Sequence, residues 1–531
     1  MQNLKKILNR NFFPLVLFFF SILMCQFTGN RGVFPIDSFS HFDSGYRILE
    51  GEHPFKDYWA VSGPFLDYYQ SFIFLIFGSN WQSYILGASL FNSLLTLITY
   101  YFFKSLGLSS FNSFFYSICF SILAYPSSGT LFVDHQSTYL SLLTLYIFIW
   151  AMKTDNFYLW FLVPVILIFA FLSKQVPAAY IFCVILMILF YHLFHIKKKK
   201  ALQIIKTLSI SSLLIILFLF FFFKLNSIEI KSFFIQYIKH PGSIGGERIS
   251  NLNYDFKNTV MNYKFIYFAF IILIYLNLNN FKNFNKFYKS LNFKVFLIFL
   301  FLTIVLIHHL LLTKNQIFIF FLIPLILGIA HTELSDRNKK EKFFKFMLII
   351  FCIFTTFKYH YRFNIDRKFH ELNNVNFANT VNPIKLSNKF SGLKWITPNV
   401  KSKVEAEQEI RYLIYVKKIL KNDKENKIFI SNYSFFSIII EQNISSYSRW
   451  FPGDNSAFPK SGDKYFYEFK KFIIKTLNKR KIKNIYILKD VEENYLTDYL
   501  DIKCFDKKIY EPMIIKFEIN NKCPELFLWK N

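Results

Sequence analysis

Several familiar catalytic signatures are missing from this sequence. It contains no Walker phosphate loop, no G-x-G-x-x-G and no H-E-x-x-H, so nothing points to P-loop, dinucleotide or zincin chemistry. Its six cysteines are scattered without a C-x-x-C pair, which leaves no zinc or redox motif. No internal repeat is visible. Charged residues make up only 18%, fewer than the roughly 25% of a soluble globular chain. Carboxylates are the scarcer sign, with 34 Asp and Glu against 62 Lys and Arg, for a net charge of +28.

In place of charge there is apolar sequence: 53% hydrophobic, 21% aromatic, with 72 Phe. Several runs reach the roughly 20 residues needed to cross about 30 Å of hydrocarbon. The pattern is that of a polytopic α-helical membrane protein. In a soluble chain the positive charge would suggest nucleic acid. Here the lysines gather at the ends of apolar runs, so the expected partners are membrane lipids and not nucleic acid. The aromatic excess reads mostly as lipid-facing surface. The first run, 11–28, follows Lys5, Lys6 and Arg10 and lacks a small-residue cleavage site; it reads as an uncleaved first span.

About eleven spans are expected, near 11–29, 82–103, 110–128, 137–152, 157–173, 176–195, 206–223, 262–278, 294–309, 315–331 and 345–360. As one helix, residues 157–195 would extend roughly 57 Å, too far for a single crossing. Ser173-Lys174-Gln175-Val176-Pro177 supplies the break. With the N-terminus inside, Lys104, Lys153, Lys197 to Lys200, Lys206, Lys282, Lys286, Lys289 and the Arg337 to Lys345 cluster all fall inside, as the positive-inside rule requires. An odd span count then puts the tail outside. Polar residues not used in that assignment converge on the outer face: the acidic loop 34–64, Asp134-His135-Gln136, Lys174 with Gln175, Arg248, His308, His309 and Lys314. A reaction cavity that opens outward accounts for this convergence.

Residues 64–79 are apolar but short and read as a helix lying in the membrane plane. The chain divides into a membrane domain, 1–360, and an extracytoplasmic tail, 361–531. In the tail, helical spacing over 405–420 and 465–477 alternates with short apolar strands at 427–431 and 482–488, which predicts a small α/β domain. Cys504 and Cys523 are the only cysteines outside the expected membrane region, and residues 505–522 fit a hairpin that would bring them together. A disulfide is expected there, with two free thiols as the alternative.

The run from Asp37 to Gly63 resembles the first outer loop of multi-spanning GT-C glycosyltransferases. That group includes the protein O-mannosyltransferases, the lipid A aminoarabinose transferases and related bacterial enzymes of the cell envelope. In that family an Asp follows the first span, and a Gly closes a short amphipathic helix some four turns on; here these are Asp37 and Gly51, with Tyr46-Arg47 between. Pro54-Phe-Lys-Asp57-Tyr-Trp and Gly63-Pro64 resemble the bacterial branch. Phe171-Leu-Ser-Lys174-Gln175 looks like that branch's Lys-containing turn, and 427–431 with Ser448-Arg449-Trp450 resembles its outer domain. Where the family has Asp-Glu, Ser38 follows Asp37 here. The resemblance implies a GT-C-like fold in a bacterial plasma membrane, with site and tail facing the periplasm or exterior. It also implies inverting transfer of a sugar from a polyprenyl-phosphate carrier to a glycan, lipid or protein acceptor such as lipopolysaccharide, with no added cofactor.

That chemistry needs a carboxylate as general base and cations for the departing phosphate. Asp37 is the first candidate for the base, against a helix N-cap role. Asp43 is the second. Arg47 either binds phosphate or pairs with Asp43 at i to i+4. Asp57 either contacts substrate or anchors the loop through Lys56 or backbone. Asp134 and His135 are candidates by virtue of their depth, against a local cap. Lys174, beside Gln175, is the first candidate for the carrier phosphate, against snorkelling to headgroups; Arg248 and Lys314 are weaker ones. His308 and His309 are adjacent on a helix, point different ways and do not suggest a metal pair. The rival readings are a lipid-linked glycan polymerase or ligase, which favours a large loop between late spans, and a lipid-linked sugar flippase or transporter. Transporters commonly show paired halves, and none are found here.

Overall fold

The structure, a computed structural model, describes residues 2–252, 254–281, 287–313, 318–334, 339–398 and 404–526. Lys314, Lys282, Lys286 and Arg337 lie outside the described residues. The chain forms two compact units, and neither is one continuous stretch. The first comprises residues 1–29, 88–218 and 251–369; the second comprises 30–87, 219–250 and 370–531. Compactness thus groups the acidic loop with the tail.

The first unit is helical throughout. Each expected span overlaps a helix, but seven helices among the described residues, not eleven, are both long and apolar enough to cross a membrane. Ser110–Leu123 and Ile319–Thr332 are apolar but short; at 14 residues the former rises only ~21 Å. Val133–Thr154 is long enough, but it opens on the polar run Asp134 to Thr138, all of it buried. Exposed apolar residues mark the opposite case. Lys198–Leu225 leaves Leu213, Ile216, Phe218 and Phe221 more than half exposed. In water such a stripe is a liability; in hydrocarbon it is the natural outer surface of a helix whose backbone is satisfied internally. The expected break is present. Phe157–Ser173 ends where Lys174 adopts an extended backbone, and Gln175–Phe194 starts immediately after it.

The second unit is built around a four-stranded sheet, β1 (Lys427–Ile430), β2 (Asn484–Leu488), β3 (Phe505–Tyr510) and β4 (Ile514–Ile519), in the order β1-β2-β4-β3. β1 and β2 are parallel; the β3–β4 hairpin adds antiparallel to β2. A parallel pair needs a crossover, and helix Phe466–Lys479 lies in it. β2, buried along its whole length, reads as the continuous apolar run expected of an inner strand. The expected helix at 405–420 appears as Ala406–Asn422.

The acidic loop contributes to this core. Trp59 and Val61 pack in one cluster with Ile428, Ile430, Phe469 and Ile487, and the Trp59 N–H donates to the Tyr447 carbonyl at 2.8 Å. The loop carries the four-residue helix Pro35–Ser38 and the longer Ser40–Leu49, and it leads into a third, Pro64–Phe77. Ser40–Leu49 ends at Gly51, whose φ of +80° suits a C-terminal glycine. Pro64–Phe77 starts after Gly63 with Pro at its first turn. Its face at Phe72, Leu75 and Ile76 is exposed and apolar, as an in-plane helix requires. At Gly45 a Cβ would stand 2.8 Å from Gln70 Cγ, so glycine lets these two helices close on each other.

Cys504 and Cys523 are disulfide-bonded, with Cα atoms 5.3 Å apart, and so tie the ends of the hairpin segment together. Denatured without reductant and alkylated, the chain should show four reactive thiols by mass spectrometry, from Cys25, Cys119, Cys183 and Cys352, and six after reduction. Six before reduction would mean that the pair is unlinked. Replacing both by serine should cost the second unit about 2–4 kcal/mol.

Candidate functional site

Helix Ser40–Leu49 sets His41, Asp43, Ser44 and Arg47 on its buried side, and helix Pro64–Phe77 sets Asp67 on its own. Gly45 brings the two faces together. Asp67 is 0% exposed. Its Oδ1 accepts from Ser44 Oγ at 2.5 Å and from Arg449 Nη1 at 3.1 Å, and its Oδ2 from the Tyr58 hydroxyl at 2.8 Å. His41 Nδ1 stands 2.8 Å from Oδ1 and donates, because an ionised carboxylate only accepts. Burial alone would push this carboxyl up; Arg449, His41 and Ser44 together hold it below the usual carboxylate range. Arg449 also donates to the Ser62 carbonyl. Four donors on one carboxylate lock the loop to the tail.

Asp43 is 2% exposed and far less well supplied. Its Oδ1 accepts from Ser445 Oγ at 2.9 Å, while Arg47 Nη1 stays 3.8 Å from Oδ2. Burial lifts its pKa to about 7; Arg47 and Ser445 pull it down and Glu52 adds a smaller upward push. An unfolded Asp titrates near ~3.9. The folded chain therefore holds this proton more tightly, and the stability gained from it is lost as pH rises towards about 7. A small recess of about 10 Å³ opens beside Asp43, beyond the carboxyl end of β1. Ser431, Ser446 and Arg449 also line it, and it admits a water-sized group. Among the described residues, buried Ser446 Oγ and Arg449 Nε meet no partner.

Asp37 lies within the short helix Pro35–Ser38, half-buried. It occupies neither N-cap: the caps of this helix and of Ser40–Leu49 are Phe34 and Phe39, without side-chain bonds. The capping alternative is removed. Arg47 pairs mainly with Glu52, Nε to Oε2 at 2.7 Å, donates to the Ser446 carbonyl at 2.8 Å and lies over the Tyr58 ring. Asp57 does anchor the loop, accepting from the His53 N–H at 2.9 Å, but its cation is Lys479, at 2.5 Å. Lys56 donates to the Asn226 carbonyl instead. Arg248 stands 3.7 Å from Asp454 in a surface pair, which contributes little.

In the first unit, Asp134 and Lys174 meet. Lys174 Nζ lies 2.7 Å from both carboxylate oxygens, and His309 Nε2 lies 2.8 Å from Oδ1. The Lys174 carbonyl accepts from Ser137 Oγ at 3.0 Å. The local-cap alternative for Asp134 is replaced by an ion pair 40 residues long in sequence. His135 turns away into an aromatic surround of Phe132, Phe318 and Phe369. Gln175 opens the helix after the break. His308 faces the Tyr180 ring.

Sequence reasoning misses Asp67, His41, Tyr58 and Ser445. Asp67 has a visible signal, as the one carboxylate in a largely apolar stretch. His309 is among the polar residues that converge on the outer face in the sequence, but its partner Asp134 is not legible there. No protein-family model matches the sequence, and no curated protein does.

Asp67→Ala leaves Arg449 buried without its carboxylate. It should cost about 3–5 kcal/mol, read as a drop in the denaturation midpoint of the purified chain. A loss under about 1 kcal/mol would show the pair to be solvated.

Proposed function

We propose that this chain is an inverting glycosyltransferase that moves a sugar from a polyprenyl-phosphate carrier to an acceptor at the outer membrane face. The observation that carries the reading is the protonation range of the first loop: burial lifts Asp43 to about 7. A carboxyl in that range takes and returns a proton near neutral pH, which general base catalysis requires. The recess beside it, where Ser446 Oγ and Arg449 Nε meet no partner among the described residues, suits an oxygen that gives up that proton.

Two carboxyls compete for the base. Asp37 holds the position that the GT-C resemblance gives to the family's carboxylate, and it keeps solvent access. Asp43 has the protonation range. Lys174 remains the candidate for the carrier phosphate; its ammonium has three N–H groups and makes two bonds to Asp134. The Cys504–Cys523 bond supports a tail outside the cytoplasm, since disulfides persist in oxidising compartments.

Transfer from a labelled polyprenyl-phosphate sugar, followed against pH, separates the two carboxyls. If Asp43 is the base, the wild-type rate should climb with pH through about 7 and level off above it. Asp43→Asn should then lower turnover by at least about 10²-fold and abolish the limb, while Asp37→Asn keeps it. If Asp37 is the base, Asp37→Asn takes the same loss. No transfer by wild type from any polyprenyl-phosphate sugar would sink the reading.

Orientation has its own test. A reporter active only in the cytoplasm, fused after Asn531, should stay silent; a strong signal would place the tail, and the second unit with it, inside.

A further inference from the structure

The second unit has a larger cleft with no part in the chemistry above. It encloses about 340 Å³ and is formed by three separate stretches of chain, at 51–57, 227–232 and 443–480. That volume lies within the range of small-ligand pockets. Inorganic phosphate would leave most of it empty.

Its hydrogen-bonding capacity is one-sided. Three carboxylates line it against four cations, Lys56, Lys475, Lys479 and Arg480, and each carboxylate oxygen is already engaged; those of Glu229 accept from Lys475 at 3.2 Å and from Ser232 Oγ at 3.3 Å. Glu52 accepts from Arg47 Nε at 2.7 Å and Asn443 Nδ2 at 2.7 Å. Asp57 accepts from Lys479 at 2.5 Å and from the His53 N–H at 2.9 Å. The cations keep spare donors. Lys56 bonds the Asn226 carbonyl, Lys475 bonds Glu229 at 3.2 Å and Lys479 bonds Asp57. Each ammonium carries three N–H groups and makes one of these bonds. Lys475 and Lys479 are 68% and 54% exposed; Asp57 is 8%, and Glu229, paired with Lys475, is 63%. The ligand-facing side of the cleft is therefore donor-rich and cationic.

Its backbone is unusual as well. Gly51, Phe55 and Ser227 all line it with φ of +80°, +71° and +53°. A bulky Phe at positive φ is a true outlier, and such residues cluster where a fold holds a ligand. Phe55 is kept there by neighbours: its carbonyl accepts from Gln236 Nε2 at 3.0 Å, and its ring meets Phe233 edge-on. Phe472 adds a second ring to the lining, and among the described residues no Leu, Ile or Val lines it. A prenyl chain would find no aliphatic wall.

We propose that this cleft binds an anionic saccharide, a sugar unit bearing a carboxylate or phosphate, as part of the acceptor glycan. The acceptor role rests on the glycosyltransferase reading; the binding does not. Calorimetric titration of the full chain in detergent tests it, with trigalacturonate, neutral maltotriose, inorganic phosphate and dodecyl phosphate as probes. Trigalacturonate should bind and weaken with added salt, and maltotriose should not. Lys475→Gln with Lys479→Gln should weaken trigalacturonate by at least about tenfold, and Lys475→Gln alone, which leaves the Lys479–Asp57 pair intact, should weaken it in the same direction with an unchanged melting temperature. No binding of trigalacturonate, or undiminished binding by the double variant, would overturn the proposal. Equal binding of inorganic phosphate would reduce the cleft to a simple anion site, and preference for dodecyl phosphate would assign it to the carrier; either sinks it. A chain that binds but transfers nothing rejects the enzyme reading alone, and one that transfers without binding rejects this proposal alone.

Discussion

Asp67 is a carboxylate removed from water, and the second unit is arranged to make that tolerable. An ion of this kind costs several kcal/mol to bury unless donors replace its hydration. Ser44 and His41 come from the first loop helix, Tyr58 from the strand-like turn after it, and Arg449 from the tail. None of these alone would suffice. Because Arg449 is itself 3% exposed, the dependence is mutual: the loop carboxylate needs the tail arginine, and the arginine needs the carboxylate. Helix Ser40–Leu49 is fixed by this bond, and with it the positions of Asp43 and Arg47.

Asp67 and Asp43, on two helices that pack together, have been given opposite environments. Asp67 has four donors and stays ionised. Asp43 has one hydroxyl at hydrogen-bond distance and a guanidinium just beyond it, so burial prevails. The contrast is how neighbouring helices can hold an ionised carboxylate and a readily protonated one side by side. Several of the other candidate charges are paired. Arg47 with Glu52, Lys479 with Asp57 and Lys174 with Asp134 turn candidate ligand groups into frame, and leave spare N–H groups as the capacity for anions.

How much of this was legible in the chain depended on distance along it. The helices followed from runs of apolar residues, a local property. The break at Lys174 followed from length and from a proline nearby. The strands β1 and β2, the helix between them and the hairpin pairing of Cys504 with Cys523 followed from patterns only a few residues wide. Which cation meets which carboxylate did not follow. Lys56 is one residue from Asp57 and looks like its partner, yet the ion pair is made by Lys479. Arg449 and Asp67 are 382 residues apart in the chain, and no local pattern encodes such a meeting. The span count is met only in part: seven described helices are long and apolar enough to cross a membrane, and Ser110–Leu123, Phe157–Ser173 and Ile319–Thr332 are apolar but shorter, so composition marks them as apolar helices without fixing their length.

The second unit is discontinuous, drawn from 30–87, 219–250 and 370–531, and this sets the order of events during synthesis. At about 5–20 residues per second, the first loop precedes the tail by on the order of tens of seconds. For that interval Asp67, His41 and Tyr58 have no Arg449, and Trp59 and Val61 have no β-sheet to pack against. The loop must wait, wetted or shielded by another protein, until the last third of the chain arrives. Closure of the unit is thus a late event in biogenesis, and a chain cut short before Arg449 retains its membrane helices while its first loop has nothing to fold onto.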